Sequence, residues 1–220
     1  MPDGTDPDGY GHEAARERMV ERLRERGAVG EVAGAALSAV PRHEFVPADR
    51  REHAYEDRPL PIGSGQTISA PHVVGRMVEA LGVGADDRVL EVGTGCGYHA
   101  AVTAAVVGPE NVFSVEYHEE LAERARETLA RTGFGGVSTW VGDGHEGWPE
   151  HAPYDAAYLT CAAPEFPAAV VEQVHPGGTV LGPLGERRQH LVRGLRRPDG
   201  GLDREQLAAV RFVRMQGGDG

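Results

Sequence analysis

The sequence predicts an α/β fold with a doubly wound, mostly parallel sheet, extra N-terminal helices and an antiparallel C-terminal strand pair. Apolar strands alternate with helical segments between residues 89 and 184, and this order is typical of parallel sheets. A glycine-rich turn at residues 93–97 joins the first of these strands to a helix. Further on, residues 189–196 and 206–215 flank a Pro-Asp-Gly-Gly turn, which indicates an antiparallel pair.

The N-terminal part of the chain is predicted to be helical at both ends and irregular in between. Residues 1–11 are acidic and rich in glycine, so we expect a disordered tail. Helices are predicted at 12–27, where Glu and Arg are paired, and at Val29–Val40, which stops before a proline. Residues 41–72 are dense in proline and glycine but keep apolar anchors, which favours a functional loop. A third helix is predicted at Val73–Leu81.

The segment VLEVGTGCGYHAAV places three glycines directly after a predicted strand, Val89–Val92. Gly93, Gly95 and Gly97 allow a sharp turn that exposes the first backbone N–H groups of the next helix to a ligand. A dinucleotide-binding loop, G-x-G-x-x-G, would need glycine where Tyr98 stands. The G-x-G-x-G spacing instead resembles the first motif of S-adenosylmethionine-dependent methyltransferases.

An acidic residue ends the next predicted strand, Asn111–Val115. Glu116 lies 19 positions after Gly97, and a carboxylate at this place suits the two hydroxyls of a ribose. The alternative is that Glu116 only begins the charged helix of residues 118–131, because acidic side chains favour the first helical turn. The order of strand, glycine loop, helix, strand and acid favours ribose binding.

Three further parallel strands are predicted at 137–141, 154–160 and 179–184. A helix that reaches Val174 precedes the last of them, with the sequence His-Pro-Gly-Gly as a tight turn between the two. Ligands of doubly wound sheets bind at the carboxyl ends of the strands. The residues that fall at these ends are Gly93–Gly97, Glu116, Asp143 and Thr160.

Composition argues against several classes of protein. The net charge is −12, which disfavours a nucleic-acid partner because phosphates demand a basic surface. No apolar run approaches the ~20 residues of a membrane span, and the first residues do not form a secretory signal. Two cysteines are too few for a disulfide framework, so we expect a cytoplasmic protein. The histidines and cysteines form no metal-binding pattern, so no metal is expected.

All 22 basic residues are arginine. A GC-rich gene explains the preference for arginine over lysine, but it does not explain the excess of acidic residues. The two features together favour a protein adapted to high salt, where screening relieves the mutual repulsion of like charges.

Two segments together closely resemble the protein-L-isoaspartate O-methyltransferases, namely VPRHEFVP…AYEDRPLPIGSGQTISAPHVV and the glycine-loop segment VLEVGTGCGYHAAV. The loop Gly65–Pro71, GQTISAP, discriminates this family, because other methyltransferases share the sheet motifs but not this loop. Residues 142–167 and 173–185 are similar to the family's later motifs, so the resemblance covers Met19–Met215. It implies a Rossmann-like repair enzyme that methylates the carboxylate of L-isoaspartyl residues in damaged proteins. S-adenosylmethionine would be the cofactor and S-adenosylhomocysteine the product.

The resemblance also implies roles for particular residues. Ser69 matches the active-site position, although a serine before a helix is more often an N-cap. His99 and Cys96 depart from the family's usual glutamine and serine, so cofactor affinity is expected to differ. The positions implied in cofactor binding are Thr67, Ile68, Glu91, Gly93, Thr94, Gly95, Gly97, Glu116, Gly142 and Asp143.

Residues 12–220 are expected to form a single methyltransferase domain that acts as a monomer. Its parts would be N-terminal helices with a substrate loop (12–88), a cofactor-binding sheet (89–185), and a C-terminal hairpin and tail (186–220). Two alternatives stay open: a related enzyme that methylates another carboxylate, and a protein that binds the cofactor without catalysis. A nicotinamide-dependent dehydrogenase is disfavoured by the glycine spacing.

Overall fold

The structure, a computed structural model, describes residues 9–218. This part of the chain contains nine strands and six α-helices. The strands are β1 (Leu60–Gly63), β2 (Gln66–Ile68), β3 (Val89–Val92), β4 (Val112–Glu116), β5 (Ser138–Val141), β6 (Tyr154–Leu159), β7 (Val174–Leu184), β8 (Gln189–Arg196) and β9 (Leu202–Val210). The helices are α1 (Gly9–Glu25), α2 (Glu31–Ala39), α3 (Pro71–Leu81), α4 (Tyr98–Val107), α5 (Glu119–Arg131) and α6 (Ala168–Gln173).

Seven of the strands form one sheet in the order β5-β4-β3-β6-β7-β8-β9. The strands from β5 to β7 are parallel, and β8 and β9 continue the sheet in antiparallel pairs. The strand order reverses direction beside β3, between β4 and β6, which is where ligands of doubly wound sheets bind. This topology confirms the predicted fold class.

Apolar clusters cover both faces of the sheet. Neighbouring residues of a strand point to opposite faces, so Val89 belongs to one cluster and Leu90 to the other. Helices α1 to α5 contribute to the cluster of Val89, and α6 contributes to that of Leu90. Because both faces are covered, every residue of β3 and β4 is buried, which explains their nearly unbroken apolar sequences.

The strand before the C-terminal hairpin is longer than predicted. β7 begins at Val174 instead of residue 179, and α6 ends at Gln173. Val174 already pairs with Tyr154, whereas Thr179 pairs with Ala156. The tight turn predicted at 175–178 is therefore wrong. These residues form an irregularity inside β7, where the pairing with β6 shifts but the chain does not reverse.

The last strand lies earlier than predicted. β9 ends at Val210 instead of residue 215, because its partner β8 is already fully paired there. The chain then crosses to the carboxyl end of β6. Ala162 N–H donates to the Val213 carbonyl oxygen (2.7 Å), and Met215 N–H donates to that of Ala162 (2.9 Å). This crossing brings residues 213–216 to the functional end of the sheet.

The N-terminal region also differs in detail from the prediction. Helix α1 begins at Gly9, so residues 9–11, which the sequence assigned to a disordered tail, belong to its first turn. The rest of that tail lies outside the described residues. The irregular segment contains a small hairpin, β1–β2, whose turn holds Ser64 and Gly65 at φ +50° and +70°. No helix among residues 9–218 is both long and apolar enough to cross a membrane.

Candidate active site

A cavity lies at the carboxyl ends of the parallel strands, where the strand order reverses. We call it the inner cavity. Its lining includes the β1–β2 hairpin, the glycine loop with the start of α4, the end of β4, Gly144, the turn after β6 and the C-terminal segment at 213–216. Of the residues predicted to converge here, Gly93, Glu116 and Thr160 line the cavity, whereas Asp143 does not.

The glycine loop requires glycine for conformational and steric reasons. Gly93, Gly95 and Gly97 have φ values of +101°, +56° and +85°, which other residues adopt only with strain. At Gly93 a Cβ atom would also lie 2.3 Å from the Thr160 hydroxyl oxygen, far inside van der Waals contact. Gly93 and Gly95 line the inner cavity, whereas Gly97 ends the loop as the N-cap of α4 and packs against α5.

Glu116 lines the cavity and holds the glycine loop. It is the last residue of β4, and α5 begins only after its N-cap His118, so Glu116 does not belong to the first turn of α5. Its side chain is 95% buried. One carboxylate oxygen accepts from Gly95 N–H (2.8 Å) and the other from His118 N–H (3.0 Å). Each oxygen keeps a lone pair for a further donor.

Glu91 does not lie where the sequence placed it. Its side chain is fully buried on the α4 side of the sheet and does not line the inner cavity. Desolvation by burial raises its pKa to about 8, although hydrogen bonds from Ser114 and Tyr158 act in the opposite direction. The Ser114 hydroxyl is in turn 2.6 Å from that of Thr94. Glu91 thus supports the glycine loop from below.

Gly142 and Asp143 lie outside the lining of the inner cavity. Asp143 accepts from the backbone N–H groups of His145 (2.9 Å) and Gly218 (2.6 Å). A Cβ atom at Gly142 would lie 2.7 Å from the Trp140 ring. Gly144, the next residue along the chain, does line the cavity, so this turn lies beside the cavity.

Ser69 lies in the cavity wall and is not a helix cap. The N-cap of α3 is Ala70, and the His72 N–H in the first turn is satisfied by Asp57 Oδ1 at 3.0 Å. Among the described residues no hydrogen-bond partner is found for the Ser69 hydroxyl. The capping interpretation is therefore wrong, because a carboxylate from the preceding loop takes that place.

A second depression, which we call the outer groove, adjoins the inner cavity. The two share four wall residues, namely Thr67, Ser69, Thr160 and Val213. Apolar side chains of α3, β8 and the C-terminal segment form much of the outer groove. Ser69 therefore stands at the junction of two compartments, one lined by the glycine loop and one beside it.

From the sequence, His99 is known only as a departure from the family's usual glutamine. The structure places its imidazole in the inner cavity wall with 6% of its surface exposed. Neither ring nitrogen has a hydrogen-bond partner among the described residues. Desolvation by burial lowers the pKa of His99 to about 3, so the ring is neutral at pH 7. His99 thus combines two buried nitrogens that lack partners with a place in the cavity wall, and a buried polar atom of this kind calls for a partner such as a water or a ligand.

Comparison with known proteins extends these observations. The family model described as protein-L-isoaspartate(D-aspartate) O-methyltransferase matches residues 14–220. A protein-L-isoaspartate O-methyltransferase 2 of Archaeoglobus fulgidus is 47% identical over 207 residues, which is 94% of each chain. A protein-L-isoaspartate O-methyltransferase of Methanopyrus kandleri is 48% identical over 94% of this chain and 93% of its own.

Solved structures show the same similarity. One titled protein-L-isoaspartate O-methyltransferase superposes with a TM-score of 0.85 at 32% identity. The match covers 92% of this chain and 66% of that longer chain. A Plasmodium falciparum structure, solved with S-adenosyl-L-homocysteine and titled as a protein of the same kind, shares the fold at 23% identity, with a TM-score of 0.80.

Proposed function

The chain belongs to the protein-L-isoaspartate(D-aspartate) O-methyltransferase family, and from this premise we propose how its two compartments divide the reaction. The protein is a repair methyltransferase: S-adenosylmethionine is its methyl donor and the free carboxylate of an L-isoaspartyl residue is the acceptor. The inner cavity binds the cofactor, and the outer groove binds the damaged peptide. One observation carries this division, namely the position of Ser69 in the wall that the two compartments share.

The reaction demands orientation more than acid–base chemistry. A carboxylate with a pKa near 4 is already ionised at pH 7, so the chain needs no general base. When bound, S-adenosylmethionine supplies an electrophilic methyl group on a sulfonium. The chain holds the acceptor oxygen in place, and well-oriented reactants gain several kcal/mol of barrier. The Ser69 hydroxyl, which has no partner among the described residues, would donate to that carboxylate.

The residues of the inner cavity fit the cofactor. The backbone of the loop from Gly93 to Gly95 faces the cavity without Cβ atoms at its two glycines, so a ligand can approach it closely. Glu116 would accept from the ribose hydroxyls with its remaining lone pairs. Thr67 and Ile68 would close the cavity from the hairpin side, and the turn at Gly142–Gly144 would flank the adenine end.

A methyl-transfer assay tests the function directly. Labelled S-adenosylmethionine should methylate an isoaspartyl peptide, whereas the same peptide with normal aspartate should incorporate about 10²-fold less label or none. In isoaspartate the peptide bond is made by the side-chain carboxyl group, whereas in aspartate it is made by the α-carboxyl group. The free carboxylate therefore has a different position in the two peptides, and we expect only that of isoaspartate to reach Ser69. Equal methylation of both peptides would favour an enzyme for another carboxylate. Binding of S-adenosylhomocysteine without methylation of either would favour an inactive cofactor-binding protein.

His99 provides a prediction about affinity. Replacing His99 by leucine should weaken S-adenosylhomocysteine binding about 3–10-fold in calorimetry, since a typical hydrogen bond contributes about 0.5–1.5 kcal/mol. The melting temperature of the ligand-free variant should stay equal or rise, because two buried unsatisfied nitrogens are removed. His99→Gln, which keeps polar atoms, should lose less affinity than His99→Leu. Unchanged affinity in the leucine variant would contradict a contact between His99 and the cofactor.

We propose that the acidic, lysine-free composition is an adaptation to high salt. Raising KCl from 0.15 M to 1 M shortens the Debye length from about 8 Å to about 3 Å, which screens the mutual repulsion behind the net charge of −12. If screening relieves about 1 kcal/mol, the melting temperature should rise by roughly 2–4 °C. Scanning calorimetry at four KCl concentrations measures this shift, and a flat or falling melting temperature would leave gene composition as the better explanation.

We further propose a monomer that works in the cytoplasm without nucleic acid. The acidic surface charge supports the absence of a nucleic-acid partner. Both free cysteines, Cys96 and Cys161, are compatible with a reducing compartment.

A further inference from the structure

The outer groove is bordered by arginines from three separate parts of the chain. Arg76 comes from α3, Arg211 follows β9, and both line the outer groove. Arg187 and Arg188, in the connection between β7 and β8, line the adjoining depression together with Arg211. All four arginines are exposed to solvent. We call these four residues the arginine rim.

The arginine rim carries charge that is not balanced locally. Among residues 9–218, none of its four members forms an ion pair. Eight arginines elsewhere among the described residues meet carboxylates, as in the pairs Arg26–Asp57, Arg131–Glu44 and Arg204–Glu165. The rim is distinguished by the grouping of its unpaired arginines around one groove. The lining of the outer groove and the adjoining depression contains one acidic residue, Glu186.

This imbalance runs against the charge of the whole protein. Acidic residues outnumber basic ones by 34 to 22, so a surface region with five arginines (the rim and Arg214) and one carboxylate departs from the average composition. Like charges that are gathered without partners repel one another. A region of this kind, placed beside the junction at Ser69, fits a ligand that brings the opposite charge.

We propose that the arginine rim selects substrate segments in which acidic side chains flank the isoaspartyl residue. This inference rests on the proposed function, since it assigns the outer groove to the peptide. The apolar wall formed by Val73, Val210 and Phe212 would contact the aliphatic parts of the segment, and Arg76 and Arg211 would face its carboxylates. Because the rim is exposed, solvent screens its attraction for acidic side chains. We therefore expect the rim to affect peptide binding, and hence KM, and to leave kcat nearly unchanged.

Two isoaspartyl hexapeptides test the proposal, one with glutamate and one with lysine on both sides of the isoaspartyl residue. At 50 mM KCl we expect the KM of the glutamate peptide to be about 10-fold lower, with similar kcat values. At 1 M KCl the difference should shrink below about 2-fold, because screening shortens the range of the interaction. The double variant Arg76→Gln/Arg211→Gln should show the same loss of discrimination already at 50 mM KCl.

The matched control is the double variant Arg50→Gln/Arg197→Gln, which removes the same charge from two exposed arginines that line neither depression. It should keep the discrimination of the wild type. S-adenosylhomocysteine binding should be equal in all three proteins, which shows that the variants are folded.

Several results would overturn the proposal. These are equal KM values for the two peptides, discrimination that survives in the rim variant, or an equal loss in the control variant. Inhibition by polyuridylate that depends on the rim and is stronger than that by a non-isoaspartyl glutamate peptide would assign the rim to nucleic acid instead. If neither isoaspartyl peptide is methylated, it is the proposed function that fails, and this outcome is distinguishable from equal methylation of both.

Discussion

Replacing Ser69 by alanine should lower kcat/KM for an isoaspartyl peptide by about 10²–10³, the usual loss when one positioned hydrogen-bond donor is removed. The hydroxyl lies in the wall between the inner cavity and the outer groove, where it has no partner among the described residues. It is therefore free to orient a carboxylate. The affinity for S-adenosylhomocysteine should change far less, because the proposed contacts to the nucleoside lie at Glu116 and at the turn around Asp143.

Two further measurements separate orientation from other roles. The pH–rate profile of Ser69→Ala should keep its shape, since the serine takes no proton from an acceptor that is already ionised. Ser69→Thr, which keeps the hydroxyl, should retain part of the activity. A variant with full turnover and only a lower melting temperature would show that Ser69 is structural.

Replacing Glu116 by alanine should weaken S-adenosylhomocysteine binding by about 1.5–3 kcal/mol, or roughly 10–150-fold, because a charge-assisted contact to the ribose is lost. The structure adds a second reason for a large effect. Gly95 N–H and His118 N–H both donate to this carboxylate, so its removal also leaves the glycine loop less well held. Calorimetric titration of the variant measures the combined loss.

Glu119→Ala is the matched control, because Glu119 is an exposed acid in the first turn of α5. It should bind S-adenosylhomocysteine like the wild type. Glu116→Gln should fall between wild type and Glu116→Ala, since an amide oxygen can replace one acceptor but not the charge. An unchanged dissociation constant in Glu116→Ala would restrict this residue to supporting the loop.

The central strands of the sheet were predictable because they are buried on both faces. Continuous apolar segments at β3, β4 and β6 stand out in any sequence, and the glycines after β3 mark the turn to α4. For the same reason the cavity could be placed in advance. Parallel strands bring their carboxyl ends to one edge of the sheet, and the sequence shows which polar residues follow each strand.

Other features depend on packing between distant segments. Whether Glu91 faces the cavity or the layer beneath it depends on Ser114 and Tyr158, which lie 23 and 67 positions away. The path of residues 211–216 depends on pairing with Ala162. Similarly, Asp57 in the preceding loop caps α3. The local sequence pattern instead suggests Ser69 for this role, because it lies just before the helix. The β1–β2 hairpin was missed, because residues 41–72 were expected to be irregular, although Gly-Ser-Gly between its two short strands is a turn signal.

The crossing of the C-terminal segment has a thermodynamic consequence. Val213 belongs to the walls of both compartments, and backbone hydrogen bonds to Ala162 hold it in place. If a ligand in one compartment displaces this wall, the shape of the other compartment changes as well, and binding at the two becomes linked. Linkage of this kind is reciprocal: whatever factor a bound nucleoside contributes to peptide affinity, the peptide contributes to nucleoside affinity.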